Sequence, residues 1–285
     1  MDKMRDKTRK VIGKVAILGL GRMGSALVTA LLSRGSVLPD EIIGTHHDAM
    51  RAKQASRLLG ITVTTDNAAA AAGASVIILC VRPGQLPVLL REISGHVSVG
   101  HTVVSTAVGV PLSWMKAHLG ECRNVYHVHP PSLLMAAAKG PSFIAHARGA
   151  SASATRKVSR LFRSLGSVVC LSEKDIDACA VFSGCAPAFW AQLSLIWERL
   201  ACESGISPSR ARQIIKNMLC GMSAACERGP LDLHAFIDSI VTPGGVTEVG
   251  VNMLKDGTAK NLLGNVVQHC LYKITDIRRQ FNKGT

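Results

Sequence analysis

Aromatic residues are scarce: three Trp, two Tyr and six Phe make up 4% of 285 residues. So few stacking platforms argue against a nucleic-acid-binding role, even though the chain is basic. Acidic residues are also few, 19 against 33 Lys and Arg, for a formal net charge of +14. The excess, with clusters at Lys3, Arg5, Lys7, Arg9 and Lys10 and again at Arg278, Arg279 and Lys283, favours anionic partners, and a small phosphate or carboxylate ligand meets that as well as a nucleic acid does. The nine cysteines are odd in number and never form a CxxC pair, which argues against a disulfide framework and against a zinc site, and fits a reducing cytosol. No uninterrupted apolar run approaches the ~18 residues of a membrane span. The chain is therefore read as soluble and cytoplasmic. Its basic first ten residues look like a solvated tail rather than a signal peptide, because Lys14 interrupts the apolar run that follows.

Against these absences stands one dense signal. Val15-Ala-Ile-Leu-Gly-Leu-Gly-Arg-Met-Gly24 is an apolar run that breaks into Gly19, Gly21 and Gly24 and continues with helical periodicity to Ser33. Strand, glycine turn and helix is the fingerprint of a dinucleotide site: the first glycine permits the turn, the second lets backbone approach a pyrophosphate, and the third allows helix and strand to pack closely. The phosphates would rest on the helix N-terminus, where free amides and the helix dipole favour anions. Further short, buried-type strands are expected at 41–45, 75–81 and 102–105, with helical segments between them at 49–59 and 68–74. Beyond Lys174 long helices are expected at 188–203, 209–228, 231–239 and from 247 to 281 with a break near Gly257. The segment 189–200 is apolar on most sides, so it is expected to be buried deeply or shared with another subunit. The reading is an α/β Rossmann domain at 14–172 behind a basic tail at 1–13, then an all-α domain at 173–285.

The two halves together resemble the pyrroline-5-carboxylate reductase family, with a Rossmann domain followed by a helical dimerisation domain. The carriers are the ILGLGRMG turn, Cys80-Val-Arg-Pro83 in place of VKP, Val104-Ser-Thr-Ala-Val-Gly109 in place of S-x-A-A-G, Ser183-Gly-Cys-Ala-Pro-Ala-Phe189 in place of GSGPAY, and Thr242-Pro-Gly-Gly-Val-Thr247 in place of SPGGTT. The resemblance implies an NAD(P)H-dependent oxidoreductase that passes hydride to a cyclic imine, giving proline from 1-pyrroline-5-carboxylate, and that self-associates through its C-terminal helices. It implies that Gly19, Leu20, Gly21, Arg22, Met23, Gly24, His46, His47, Val81, Arg82, Pro83 and Ala107 hold the cofactor. It also implies that Gly244, Gly245 and Val246 offer amides to the substrate carboxylate, that Thr247 orients or relays a proton at the ring nitrogen, and that Ser183 assists at the substrate pocket. A Pro-Gly-Gly turn can equally serve only to begin a helix.

The chain departs from the family pattern in three places. The segment usually resembling R-x-M-P-N-T-P becomes Tyr126-His-Val-His-Pro-Pro-Ser-Leu133, placing His129 and Pro131 where a methionine and an asparagine are usual. His129 is a candidate substrate contact or general acid, with a merely packed imidazole as the alternative. His127 and His129 are read as facing opposite ways on an extended segment, against a joint metal site. Glu248 puts a carboxylate beside the proposed anion site, which the helix can turn away from it. At the end of the second strand no Asp or Glu waits for an adenine ribose, and His46, His47 and Arg51 could meet a 2′-phosphate, so NADPH is expected with NADH left open. Two other readings are carried: a divergent paralogue that binds nucleotide in a regulatory role without turnover, and a β-hydroxyacid-dehydrogenase-like enzyme, whose lysine-centred motif the Lys216-Asn217 region does not match.

Overall fold

The computed structural model describes residues 12–130, 140–227 and 232–282. It divides into two compact units, one made of residues up to 184 together with those from 271 onward, the other of Cys185–Cys270. The division differs from the boundary expected near 173. Residues 173–184 and the C-terminal turns from 271 pack with the sheet, because Ile176 and Phe281 are buried in its core.

The first unit is built on an eight-stranded sheet: β1 (Val15–Leu18), β2 (Ile42–Thr45), β3 (Thr62–Thr64), β4 (Val76–Leu79), β5 (Thr102–Ser105), β6 (Asn124–His129), β7 (Ser142–His146) and β8 (Val168–Cys170). Their order is β3-β2-β1-β4-β5-β6-β7-β8. All neighbours are parallel except β6 and β7, which are antiparallel. The chain winds outward from β1 to β3, then returns to place β4 on the other side of β1. That reversal makes a crevice at the carboxyl ends of β1 and β4, where open α/β sheets bind ligands.

Alternate residues of β1 explain its unbroken apolar run. Ala16 and Leu18 face one core and Val15 and Ile17 the other, as the two-residue period of a strand covered on both faces requires. The sheet is connected through α1 (Arg22–Ser33), α2 (Ala49–Leu59), α3 (Asn67–Ala72), α4 (Leu86–Ile93), α5 (Leu112–Ala117) and α6 (Ala152–Arg163), and followed by α7 (Glu173–Cys179). Leu27, Val28 and Leu31 of α1 and Val158, Leu161 and Phe162 of α6 lie on one face. Leu86, Leu89, Leu90 and Ile93 of α4 lie on the other. Glu41, expected to open the second strand, instead closes a 3₁₀ turn at Pro39–Glu41, where its carboxylate accepts from the Leu38 amide.

The second unit consists of α8 (Ala186–Glu203), α9 (Pro208–Cys226), α10 (Leu233–Asp238), α11 (Val246–Lys255) and the first turns of α12 (Thr258–Asn282). The break near Gly257 falls between α11 and α12, at a glycine with φ of +95°. Trp190, Leu195, Trp197 and Leu200 of α8 are all exposed in the single chain, as are Met253, Leu254 and Leu262. A π-turn at Ala180–Cys185 joins α7 to α8, so that Glu173–Glu203 is helical throughout. By length and composition this stretch is apolar enough to cross a membrane, with mean hydropathy 1.4 over an 18-residue window. Exposed apolar helices of this kind are also what an association surface presents.

Candidate active site

The turn after β1 is shaped by three different demands on glycine. Gly19 has φ of +98°, a conformation that side chains rarely adopt, and a Cβ there would strike the Val81 side chain. A Cβ on Gly24 would collide with the Gly19 carbonyl oxygen, so this glycine sets how closely α1 approaches the turn. Gly21, by contrast, faces open space. It begins α1 without a side-chain cap, and no acidic residue stands in the first turn. The first-turn amides of Arg22, Met23 and Gly24 have no acceptor within the helix, leaving a cradle that an anion fits and that a side chain at Gly21 would fill.

The turn forms one wall of a groove of about 1010 Å³. Of the twelve residues expected to hold a cofactor, Gly24 lies beneath the turn, and the other eleven line the groove. The far end carries His46, His47 and Arg51. The two imidazoles stack with centroids 4.6 Å apart, and Nδ1 of His46 accepts the Asp48 amide at 3.0 Å, which leaves the proton of a neutral ring on Nε2. Asp48 caps α2, its carboxylate accepting from the Arg51 amide at 2.8 Å. That hydrogen bond, foremost, holds the carboxyl below its usual range. The carboxylate that follows β2 is thus engaged with a helix terminus.

Several residues of the groove escape a motif search. Thr45 Oγ1 accepts the Gly19 amide at 3.1 Å and donates to Asn67 Oδ1 at 2.6 Å, and Asn67 Nδ2 donates to Glu92 at 2.7 Å. This chain fixes the glycine turn from the side, and all three partners line the groove. Nothing in the sequence marks Asn67, which reads simply as the first residue of an alanine-rich helix. Cys80 also lines the groove. Burial pushes its thiol up to about 12, so it stays protonated and presents sulfur as an apolar surface.

At the other end lie Thr106, Ala107, Val108 and Ile277. Just behind them, the Gly109 amide donates to Asp177 at 3.1 Å and Arg278 pairs with the same carboxylate at 2.7 Å. Arg279 pairs with Asp276 at 3.2 Å. Two members of the C-terminal basic cluster therefore meet carboxylates of their own chain. Lys283 lies outside the described residues.

His127 and His129 lie two residues apart on β6, so they share a face of the strand rather than opposing each other. Both are buried, and the ring Nε2 of each has no hydrogen-bond partner. Burial brings each imidazole down to about 4 against the pull of nearby Asp177. Both rings are neutral at pH 7, which removes the basis for His129 as a general acid near neutrality. Its ring lies against Gly184, where a Cβ would collide with Nε2. No group of three metal-ligating side chains occurs among the described residues. Pro131 and Ser132 of the altered segment lie outside them.

Ser183 sits in the π-turn, with its hydroxyl donating to the Cys179 carbonyl at 2.7 Å. Matched on Pro187, the pattern GSGPAY falls on Gly184 to Phe189, so its hydroxyl position is held here by the thiol of Cys185.

In the second unit, Gly244 (φ +73°) and Gly245 open α11. The Gly245 amide donates to the Thr242 carbonyl at 2.9 Å. The Gly244 amide donates to the Glu248 carboxylate at 2.7 Å. Glu248 therefore turns toward the anion site, not away from it, and two of the amides expected for a substrate carboxylate are engaged within the turn. Val246 is 92% exposed, and Thr247 follows it in the first turn of the helix.

Comparison with known proteins gives this geometry a context. Residues 14–109 match a family model described as NADP oxidoreductase, coenzyme F420-dependent, and residues 173–277 match one described as pyrroline-5-carboxylate reductase dimerisation. Pyrroline-5-carboxylate reductase of Corynebacterium melassecola is 29% identical over 266 residues, covering 90% of this chain and 95% of that one. The Methanosarcina acetivorans enzyme of the same name is 26% identical, covering 89% and 94%. The fold is shared with a Plasmodium falciparum pyrroline carboxylate reductase with NADP bound (TM-score 0.80, 20% identity, 93% and 98% covered) and with a Coxiella burnetii pyrroline-5-carboxylate reductase (TM-score 0.82, 21% identity, 93% and 98% covered). Both domain models stand in order along the chain and relatives of the same name align over nearly its whole length, which supports a member of the pyrroline-5-carboxylate reductase family, an oxidoreductase.

Proposed function

We propose that the protein reduces a cyclic imino acid, 1-pyrroline-5-carboxylate, to L-proline with NADPH. The observation that carries the reading is the groove at the carboxyl ends of β1, β2, β4 and β5, whose glycine turn leaves the first amides of α1 free. A reduced nicotinamide, when bound, supplies hydride to the imine carbon. The chain itself binds and orients: the α1 amides meet the pyrophosphate, His46, His47 and Arg51 meet a 2′-phosphate, and Ala107 and Ile277 wall the nicotinamide end. NADPH is favoured over NADH because Asp48, the carboxylate nearest that end of β2, is held in a helix cap. Thr247 is the hydroxyl that orients the ring nitrogen, and a weak acid in that role relays rather than generates the proton. The exposed apolar residues of α8 and α11 supply a self-association surface, and the nine free thiols fit a reducing cytoplasm. The test is oxidation of NADPH and of NADH by the purified protein, with and without pyrroline-5-carboxylate. Turnover that needs the imine supports the reading, and NADPH binding without turnover refutes it.

One observation favours a second reading, a paralogue that binds nucleotide in a regulatory role. Glu248 holds the Gly244 amide and brings negative charge to the place a substrate carboxylate would take. In that case Glu248→Gln creates or raises imine-dependent turnover in an otherwise silent protein.

A further inference from the structure

The end of the groove opposite His46 and His47 is held by a device that no motif announces. Two carboxylates of α7, Glu173 and Asp177, stand four residues apart and so share a helix face. Glu173 accepts the Leu112 amide at 2.8 Å, and Asp177 Oδ1 accepts the Gly109 amide at 3.1 Å. These are amides of the segment leaving β5, immediately after the groove-lining residues 106–108. Arg278 joins both acids, 2.7 Å from Asp177 and 4.0 Å from Glu173. Arg278 also carries its neighbour Ile277 onto the groove wall. Gly109 has φ of +78°, and a Cβ built on it would lie 3.0 Å from the Ile274 carbonyl oxygen and 3.1 Å from Ile277 Cγ2. One turn on, Phe281 is buried edge-on to Trp114, with centroids 4.7 Å apart.

We propose that Asp177 and Arg278 are positioning residues: a clamp that fixes residues 106–109 and Ile277 together, and so sets how the nicotinamide half of the dinucleotide is seated. The clamp rests on the proposed reading of the groove as a dinucleotide site. Its geometry gives it a one-sided effect. Asp177 is mostly buried and meets both a backbone amide of the 106–109 segment and the Arg278 guanidinium, so removing its charge loosens the loop and Ile277 at once. His46, His47, Arg51 and the α1 amides belong to other elements and keep their places. The clamp therefore acts on one half of the ligand and leaves the other unchanged.

The experiment is titration of the full-length protein with NADPH, followed by the fluorescence of the reduced nicotinamide, and in parallel with adenosine 2′,5′-bisphosphate, which occupies the adenine end alone. Asp177→Asn is expected to weaken NADPH about tenfold, the loss of one charged hydrogen bond, while bisphosphate affinity stays within about twofold. Arg278→Lys, which keeps the charge, is expected to recover most of the NADPH affinity that Arg278→Ala loses. Unchanged NADPH affinity in Asp177→Asn overturns the clamp. So does an equal loss for both ligands, which is what general destabilisation gives. A wild-type protein that binds neither ligand overturns the groove reading itself, and the clamp with it.

Discussion

Two glycine turns in this molecule begin helices in the same way and differ in the charge that stands beside them. At Gly21 the helix N-terminus has no cap and no acidic residue in its first turn, and its amides face a groove. At Gly245 the helix also lacks a side-chain cap, and Gly245 bonds back to Thr242 as Gly21 does to Gly19, but here Glu248 stands in the first turn and takes the Gly244 amide. Both have the dipole and the backbone form that favour an anion. The difference teaches that a glycine turn before a helix supplies the means of anion binding, and a single neighbouring carboxylate, by taking one amide and adding a negative charge, decides how much of it is left to a ligand.

The harshest way to break the comparison is within the first turn. Gly24→Val drives a branched side chain into the Gly19 carbonyl, and a strained, overpacked turn is expected to cost about 3 kcal/mol or more. Denaturant unfolding and NADPH titration should show loss of stability and binding together. Gly21→Ala points into open space, so stability should hold while NADPH binding weakens by about tenfold or more, a separation checked with the same two measurements.

Acid sensitivity belongs to the first unit too. His127 and His129 take up protons near pH 4 when folded and near 6.5 when unfolded, so the unfolded chain binds protons first as pH falls. Their contribution is complete above about pH 6.5 and is lost toward pH 4, on the order of 3 kcal/mol for each ring. The urea midpoint should fall across that window, and His129→Met should flatten the slope; an unchanged slope would show that the ring is not desolvated.

In the second turn, Thr247→Ala is expected to lower imine-dependent turnover by about tenfold to a hundredfold without abolishing it, as suits an orienting hydroxyl. Glu248→Gln sharpens the comparison most gently. Releasing the Gly244 amide and a negative charge should lower the KM for pyrroline-5-carboxylate by about threefold to tenfold, with NADPH affinity unchanged. A higher KM would mean that Glu248 orders the turn for its substrate instead of competing with it.

Much of the first unit was legible because its signals are local. The strand at 102–105 falls where its apolar run places it, since it is buried throughout, and the helix at 49–59 falls where its one-sided apolar pattern places it. The chemistry around β6 was less legible. Two histidines at adjacent odd positions share a face by the period of the strand alone, but their neutrality comes from burial by elements distant in sequence, with Gly184 against the His129 ring, which outweighs the pull of Asp177. Arg278 reads in sequence as part of a basic cluster that favours anionic partners, and only the return of the last helix to the sheet pairs it with Asp177.

By itself, then, the order of residues determined the nucleotide-binding fold, the glycine turn and the helical second half, because steric limits on glycine and the periods of strand and helix act over a few residues. The tertiary structure decided which amides are free, which charges are paired and what closes the far end of the groove. Those outcomes depend on groups distant in sequence meeting within hydrogen-bond range, where burial sets the cost of leaving any of them unpaired.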